Sequence, residues 1–98
     1  MEITYYNTEG KECEKDSHNI VASKDSVAYY VKWAKGIGAY NPIEHKVSQY
    51  GLGSKRGGME VWAYKQVNQK AFELYVHFLE TRNLLFYRNA MKEIRSWA

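Results

Sequence analysis

Lys55 and Arg56 lie side by side in QYGLGSKRGGMEVW, residues 49–62, among four glycines and a serine. Glycine lets backbone N–H groups approach an anion closely, and the two cations add charge. The chemistry open to such a stretch is the binding of phosphate or of a polyanion. Its spacing excludes two nucleotide loops. A P-loop needs G-x-x-x-x-G-K-[ST] between a strand and a helix. Here Gly53-Ser54-Lys55-Arg56-Gly57 has the wrong spacing, and no Lys-Ser/Thr pair follows the last glycine. A dinucleotide-binding fingerprint needs a helix after the glycines, whose N-terminus holds the phosphate. The run from Met59 to Val67 reads instead as a strand. A cationic glycine loop remains, either a phosphate contact or a solvated connector.

A second set of cations is spaced for one helix face. Arg88, Lys92 and Arg95 fall at i, i+4 and i+7, with Trp97 at the end of the same segment. That pattern suits a face tracking phosphates beside an aromatic ring. It suits equally a solvated face with cations placed well at a helix C-terminus. A third set lies before the loop, where His45, Lys46, Ser48 and Gln49 would sit on a short helix. Preceded by another helix, this is a helix-turn-helix pattern, with Lys46 and Gln49 reaching a DNA groove and Lys55-Arg56 acting as a wing. An ordinary helical corner explains the same residues.

Other constellations are weaker. Glu73, His77 and Glu80 share a helix face, but metal ligation needs a further convergent ligand. Asp25, Glu44 and His45 offer acid and base groups, yet no spacing pairs them. No catalytic, cofactor or metal-binding residue is assigned, and no catalytic activity is expected.

These residues must be positioned by a chain of 98 residues, enough for one domain over residues 1–98 with one modest core. Hydrophobic residues make up 45% and charged residues 26%, which excludes a disordered chain. The net charge of +3 permits a polyanionic partner without demanding one. Cys13 stands alone between Glu12 and Glu14, so no internal disulfide forms. The reading is an intracellular, reducing, cytoplasmic setting with no signal peptide and no membrane span.

The elements read as follows. Ile3 to Tyr6 and Lys11 to Lys15 form an N-terminal hairpin, and Ile20-Val21-Ala22 a short third strand. Ser23 as N-cap, Asp25 in the first turn, and Val27, Tyr30, Val31 and Ala34 at helical spacing predict a helix over residues 24–35, ended by Gly36. Asn41-Pro42-Ile43-Glu44 starts a second short helix that ends at Gly51. After the strand to Val67, Asn68 caps a long helical region. Its apolar stripe changes phase near Arg82-Asn83, which predicts a kink or a new helix capped by Asn83. The fold class is α+β: a small single domain with a hairpin, two short helices, a further strand and a long, kinked C-terminal helical region.

Two short motifs carry a resemblance. Gln49-Tyr50-Gly51-Leu52-Gly53-Ser54 resembles the pyrophosphate loop of GNAT acetyltransferases. Asn68-Gln69-Lys70-Ala71-Phe72-Glu73-Leu74-Tyr75 is similar to that family's N-x-x-A-x-x-L-Y helix. In the family the loop opens a helix, and a strand separates that helix from the second motif. Here fourteen residues between Gly53 and Asn68 hold a strand alone, and the sheet that precedes the loop in the family is not expected. No site residue is carried over.

The function expected is a non-catalytic module that contacts nucleic acid, DNA or RNA, through Lys46, Gln49, Lys55, Arg56, Arg88, Lys92 and Arg95. The alternative is a protein-binding module, an inhibitor or adaptor of a larger complex such as phages encode. Tyr5, Tyr6, Tyr29, Trp33, Tyr40, Trp62 and Tyr64 would then supply the anchors. A remnant acyltransferase is a third reading.

Overall fold

A computed structural model describes residues 2–43 and 62–97. Strands β1 (Thr4–Asn7), β2 (Glu12–Cys13), β3 (Ile20–Lys24), β4 (Tyr29–Ala34), β5 (Gly38–Ala39) and β6 (Ala63–Val67) precede helices α1 (Gln69–Thr81) and α2 (Leu84–Trp97). All pairings among the described strands are antiparallel. The order is β2-β1-β3-β4-β5, with β6 also pairing along β4. The α+β class is as the sequence predicts.

The predicted helix over residues 24–35 is instead a strand, β4, reached through a tight turn from β3. Ser23 is not a helix cap but a strand residue paired with Tyr5 and Tyr30. The Oδ1 atom of Asp25 accepts hydrogen bonds from the N–H groups of Val27 and Ala28, both at 2.9 Å, and its own N–H donates to Ala28 O. An aspartate serves a hairpin turn by the same local bonding that it offers a helix start, so the two signals look alike in sequence. The apolar residues decide the matter. Tyr29, Val31 and Trp33 alternate toward the helices, and such β-branched and aromatic residues fit a half-buried pleat. Val27, placed on the predicted helical stripe, is 76% exposed at the turn. Gly36 has the expected positive φ of 85°, but in the β4–β5 turn. With the first helix gone, the helix-turn-helix pairing goes too. Pro42 and Ile43 are helical, and the N–H of Ile43 donates to Asn41 Oδ1 at 3.0 Å, as the second start signal requires. The rest of that predicted helix lies outside the described residues.

One face of the sheet carries the helices. Cross-strand rows Tyr6–Ala22–Val31 and Tyr29–Val67 belong to it. The register shifts between Tyr6 and Asn7, so that Tyr6 pairs with Ala22 while Asn7 pairs with Ile20. Val21 is the extra residue of this bulge. Val21 and Ala22 are consecutive, yet both are fully buried. Phe72 of α1 packs on Tyr6 and Tyr29, with ring centroids 5.5 and 5.0 Å away. Tyr75, Phe78, Leu79 and Ile94 complete the centre, each contributing about 1.5–3 kcal/mol by burial.

The helical region divides where its stripe changes phase. Asn68 Oδ1 caps α1 by accepting from Ala71 N at 2.9 Å. Arg82 ends it in the left-handed conformation, φ 61°, and Asn83 Oδ1 accepts from Leu85 N to start α2. The Arg82 guanidinium donates to Thr8 O at 2.7 Å and fixes this joint to the first hairpin. Two phenols tie the helices to β5 and the residue after it. Tyr87 donates to Ala39 O at 2.8 Å, and Tyr75 donates to Tyr40 O at 2.5 Å.

Candidate nucleic-acid interface

α2 is amphipathic by construction. Ala90, Met91 and Ile94 are buried, while Leu85, Arg88, Asn89, Lys92, Arg95 and Ser96 are exposed. At 3.6 residues per turn the exposed set forms one stripe along the outer surface. Beside it stands the β4–β5 turn. Gly38 permits this approach, because its φ is 108° and a Cβ there would lie 2.5 Å from Met91 Cε. The turn residue Ile37 is thereby brought to α2 and left 46% exposed.

Between them lies an open groove of about 330 Å³, lined by Ile37, Tyr87, Arg88, Met91, Lys92 and Arg95. Its floor is apolar and its rim is cationic. The structure thus brings Arg88, Lys92 and Arg95 together on one groove, as their spacing predicts. Among the described residues none of the three has a carboxylate partner. The ion pairs found there are Lys70–Glu93 and His77–Glu80, both at 3.7 Å. Lys46, Gln49, Lys55 and Arg56 lie outside the described residues.

The other flank of α2 faces α1 across a cleft of about 440 Å³, lined by Lys70, Leu74, Asn89, Lys92, Glu93 and Ser96. Lys92 borders both hollows. Glu93 is engaged internally: it accepts from Asn68 Nδ2 at 2.8 Å and pairs with Lys70. Sequence reasoning missed Lys70, Asn89, Ser96 and Ile37 as members of this surface. Asn89 and Ser96 were within reach of it, since they share the helix stripe with Lys92. Lys70 and Ile37 arrive from other elements and leave no local signal.

The rings proposed as protein anchors divide between the core and a group around Lys32, whose cross-strand partner is Tyr64. Tyr6, Tyr29 and Trp33 pack against the core, and of the seven Tyr64 alone is exposed. Tyr40 and Trp62 meet edge to face at 5.4 Å, with the Lys32 ammonium 4.9 Å from the first ring and 5.7 Å from the second. Burial lowers the pKa of Lys32 and raises that of Tyr40, where the Arg82 charge opposes the rise. Tyr75 is fully buried, and desolvation holds its phenol well above the ordinary value.

The remaining candidates have structural occupations. Glu73 accepts from Gln69 Nε2, and the His77 ring stands edge-on to Phe86 at 4.4 Å. No group of three metal-ligating side chains occurs among the described residues. Asn68, Ala71 and Tyr75 of the N-x-x-A-x-x-L-Y segment serve as cap, buried contact and core ring. Five strands do precede residues 49–54, correcting the expectation that no sheet stands before that loop. Among the described residues no helix is long and apolar enough to cross a membrane. No protein-family model matches this chain, and neither a curated protein nor a solved structure matches it.

Proposed function

We propose that this chain is a non-catalytic module that binds nucleic acid by its phosphate backbone. The observation that carries the reading is the convergence of Arg88, Lys92 and Arg95 on one open groove, with no carboxylate opposing them among the described residues. Solvated cations gathered without counter-charges repel one another, and a polyanion relieves that repulsion. Guanidinium groups match phosphate oxygens in a two-pronged fork, and the lysine adds a point charge. Arg88 and Arg95 are seven residues apart, about 10.5 Å along the helix axis. A strand of duplex DNA advances about 3.4 Å along the duplex axis per phosphate, so this span equals about three such steps. Lys55 and Arg56, with Lys46 and Gln49, are assigned to the same activity on their sequence alone. Binding of labelled DNA and RNA oligonucleotides over a salt series tests the reading. Association should weaken steeply with salt, and a variant lacking the three α2 cations should lose most of it. A wild-type protein that binds neither DNA nor RNA at low salt refutes it.

A further inference from the structure

α2 lies between two open hollows. The groove against β5 carries Arg88 and Arg95, and the cleft against α1 carries Lys70, whose side chain is 73% exposed while its ammonium lies 3.7 Å from the less exposed Glu93 carboxylate. Along the stripe between them run Asn89, Lys92 and Ser96, all exposed. The fourteen residues of α2 make a rod about 21 Å long. A helix lying in a DNA major groove needs this arrangement of charge and crest. The groove is about 12 Å wide and admits one helix, with a phosphate strand on each flank and base edges at the crest.

The crest has the side chains that read those edges. Asparagine pairs with adenine through two hydrogen bonds, lysine reaches guanine, and serine serves either. Asn89 makes no hydrogen bond with another described residue, so its amide is available. The occupant is chosen by what the described residues lining the two hollows lack. Single-strand sites pair cations with rings on which bases stack. Tyr87, the ring in the groove, is held by Ala39 O and packed 5.1 Å from Phe78, and Trp97, 46% exposed at the end of α2, lines neither hollow. Duplex RNA presents a major groove too deep and narrow for side chains to read.

We propose that α2 is a reading helix for duplex DNA, with Asn89 contacting a base edge while Arg88 and Arg95 hold one strand and Lys70 the other. This rests on the nucleic-acid reading above. The test begins with selection of preferred sequences from a random duplex DNA library by the wild-type protein. Anisotropy then compares the selected duplex, a scrambled duplex, the separated strand and the same sequence as duplex RNA. The selected duplex should bind best of the four. Asn89→Ala should reduce the ratio of selected to scrambled affinity roughly 5- to 150-fold, the scale of one two-pronged base contact. Circular dichroism confirms folding, since Asn89 is exposed. If the single strand or the RNA binds as tightly as the duplex, or if Asn89→Ala leaves the selectivity intact, the reading helix is wrong. The broader function would survive that result as long as the loss of Arg88, Lys92 and Arg95 still abolishes binding. Absence of binding to all four probes overturns both.

Discussion

Replacing Arg88, Lys92 and Arg95 together by glutamine removes three positive charges from one surface and takes the formal net charge from +3 to zero. Glutamine keeps helix propensity close to that of arginine and lysine, so α2 should still form. All three side chains are exposed, and the Arg88 and Lys92 substitutions should each change stability by about 0.5 kcal/mol or less. Arg95 lies in the last turn of α2, where a cation is favoured by the helix dipole at about 0.3–1 kcal/mol, so its loss sets the upper end of the effect. Binding should respond far more. Each neutralised phosphate on duplex DNA contributes about 0.9 to the slope of log affinity against log salt. Three contacts amount to a slope of about 2.7, which is about a 40-fold change between 50 and 200 mM salt. On single strands the slope is about 2.1 and the change about 18-fold. The variant should lack this component. A control carrying Lys11→Gln and Lys15→Gln, at the β2 edge of the sheet, separates local contact from overall charge. The assay is fluorescence anisotropy of a labelled oligonucleotide across that salt range. A folded triple variant with the wild-type slope, or a control with an equal loss, would refute the placement of the phosphates on α2.

Replacing Lys55 and Arg56 by alanine should flatten the same slope by about 1–2 units, equally on unrelated sequences, as the salt series will show. Asn68→Ala should cost about 1 kcal/mol in urea unfolding through the lost cap, with more if the Glu93 carboxylate is left without its amide donor. Tyr75 titrates well above the ordinary phenol when folded, so its share of stability is complete below about pH 10 and falls as pH rises further, where the unfolded chain sheds the proton first. Tyr75→Phe should therefore shallow the alkaline unfolding curve, measured by circular dichroism, while losing the hydrogen bond to Tyr40 O; an unchanged curve would contradict the buried phenol.

The helical half of the fold was readable because its signals are local. Asn68 and Asn83 cap the helices they precede, and the break at Arg82 follows from the shift in apolar phase. The sheet half was harder. Asp25 closes a hairpin with the same side-chain bonds that would begin a helix, and Val27 happened to complete a helical stripe. That misreading hid part of the site as well. A helix over residues 24–35 ended by Gly36 gives Ile37 no place beside α2, whereas in the β4–β5 turn it walls the groove there. Arg88, Lys92 and Arg95 were legible because a single helix carries all three. Lys70 was not, since its place depends on how α1 and α2 pack.

The bulge at Val21 bears on how the chain length of β3 can change. In a regular strand, loss of one residue turns every side chain beyond it to the opposite face. Removing Tyr30 from β4, for example, would send either Tyr29 or Val31 away from the helices. At Val21 the ladder already holds one residue more than its partner, with Asn7 opposite Ile20 and Tyr6 opposite Ala22. Excising it would join those two pairs into an uninterrupted ladder, with Ala22 still inward and Ser23 still outward. The cost is that of an emptied valine site, about 2–4 kcal/mol, and not a scrambled sheet. Single-residue deletions scanned along β3 and β4 should therefore find one tolerated position, where the strand carries its spare residue.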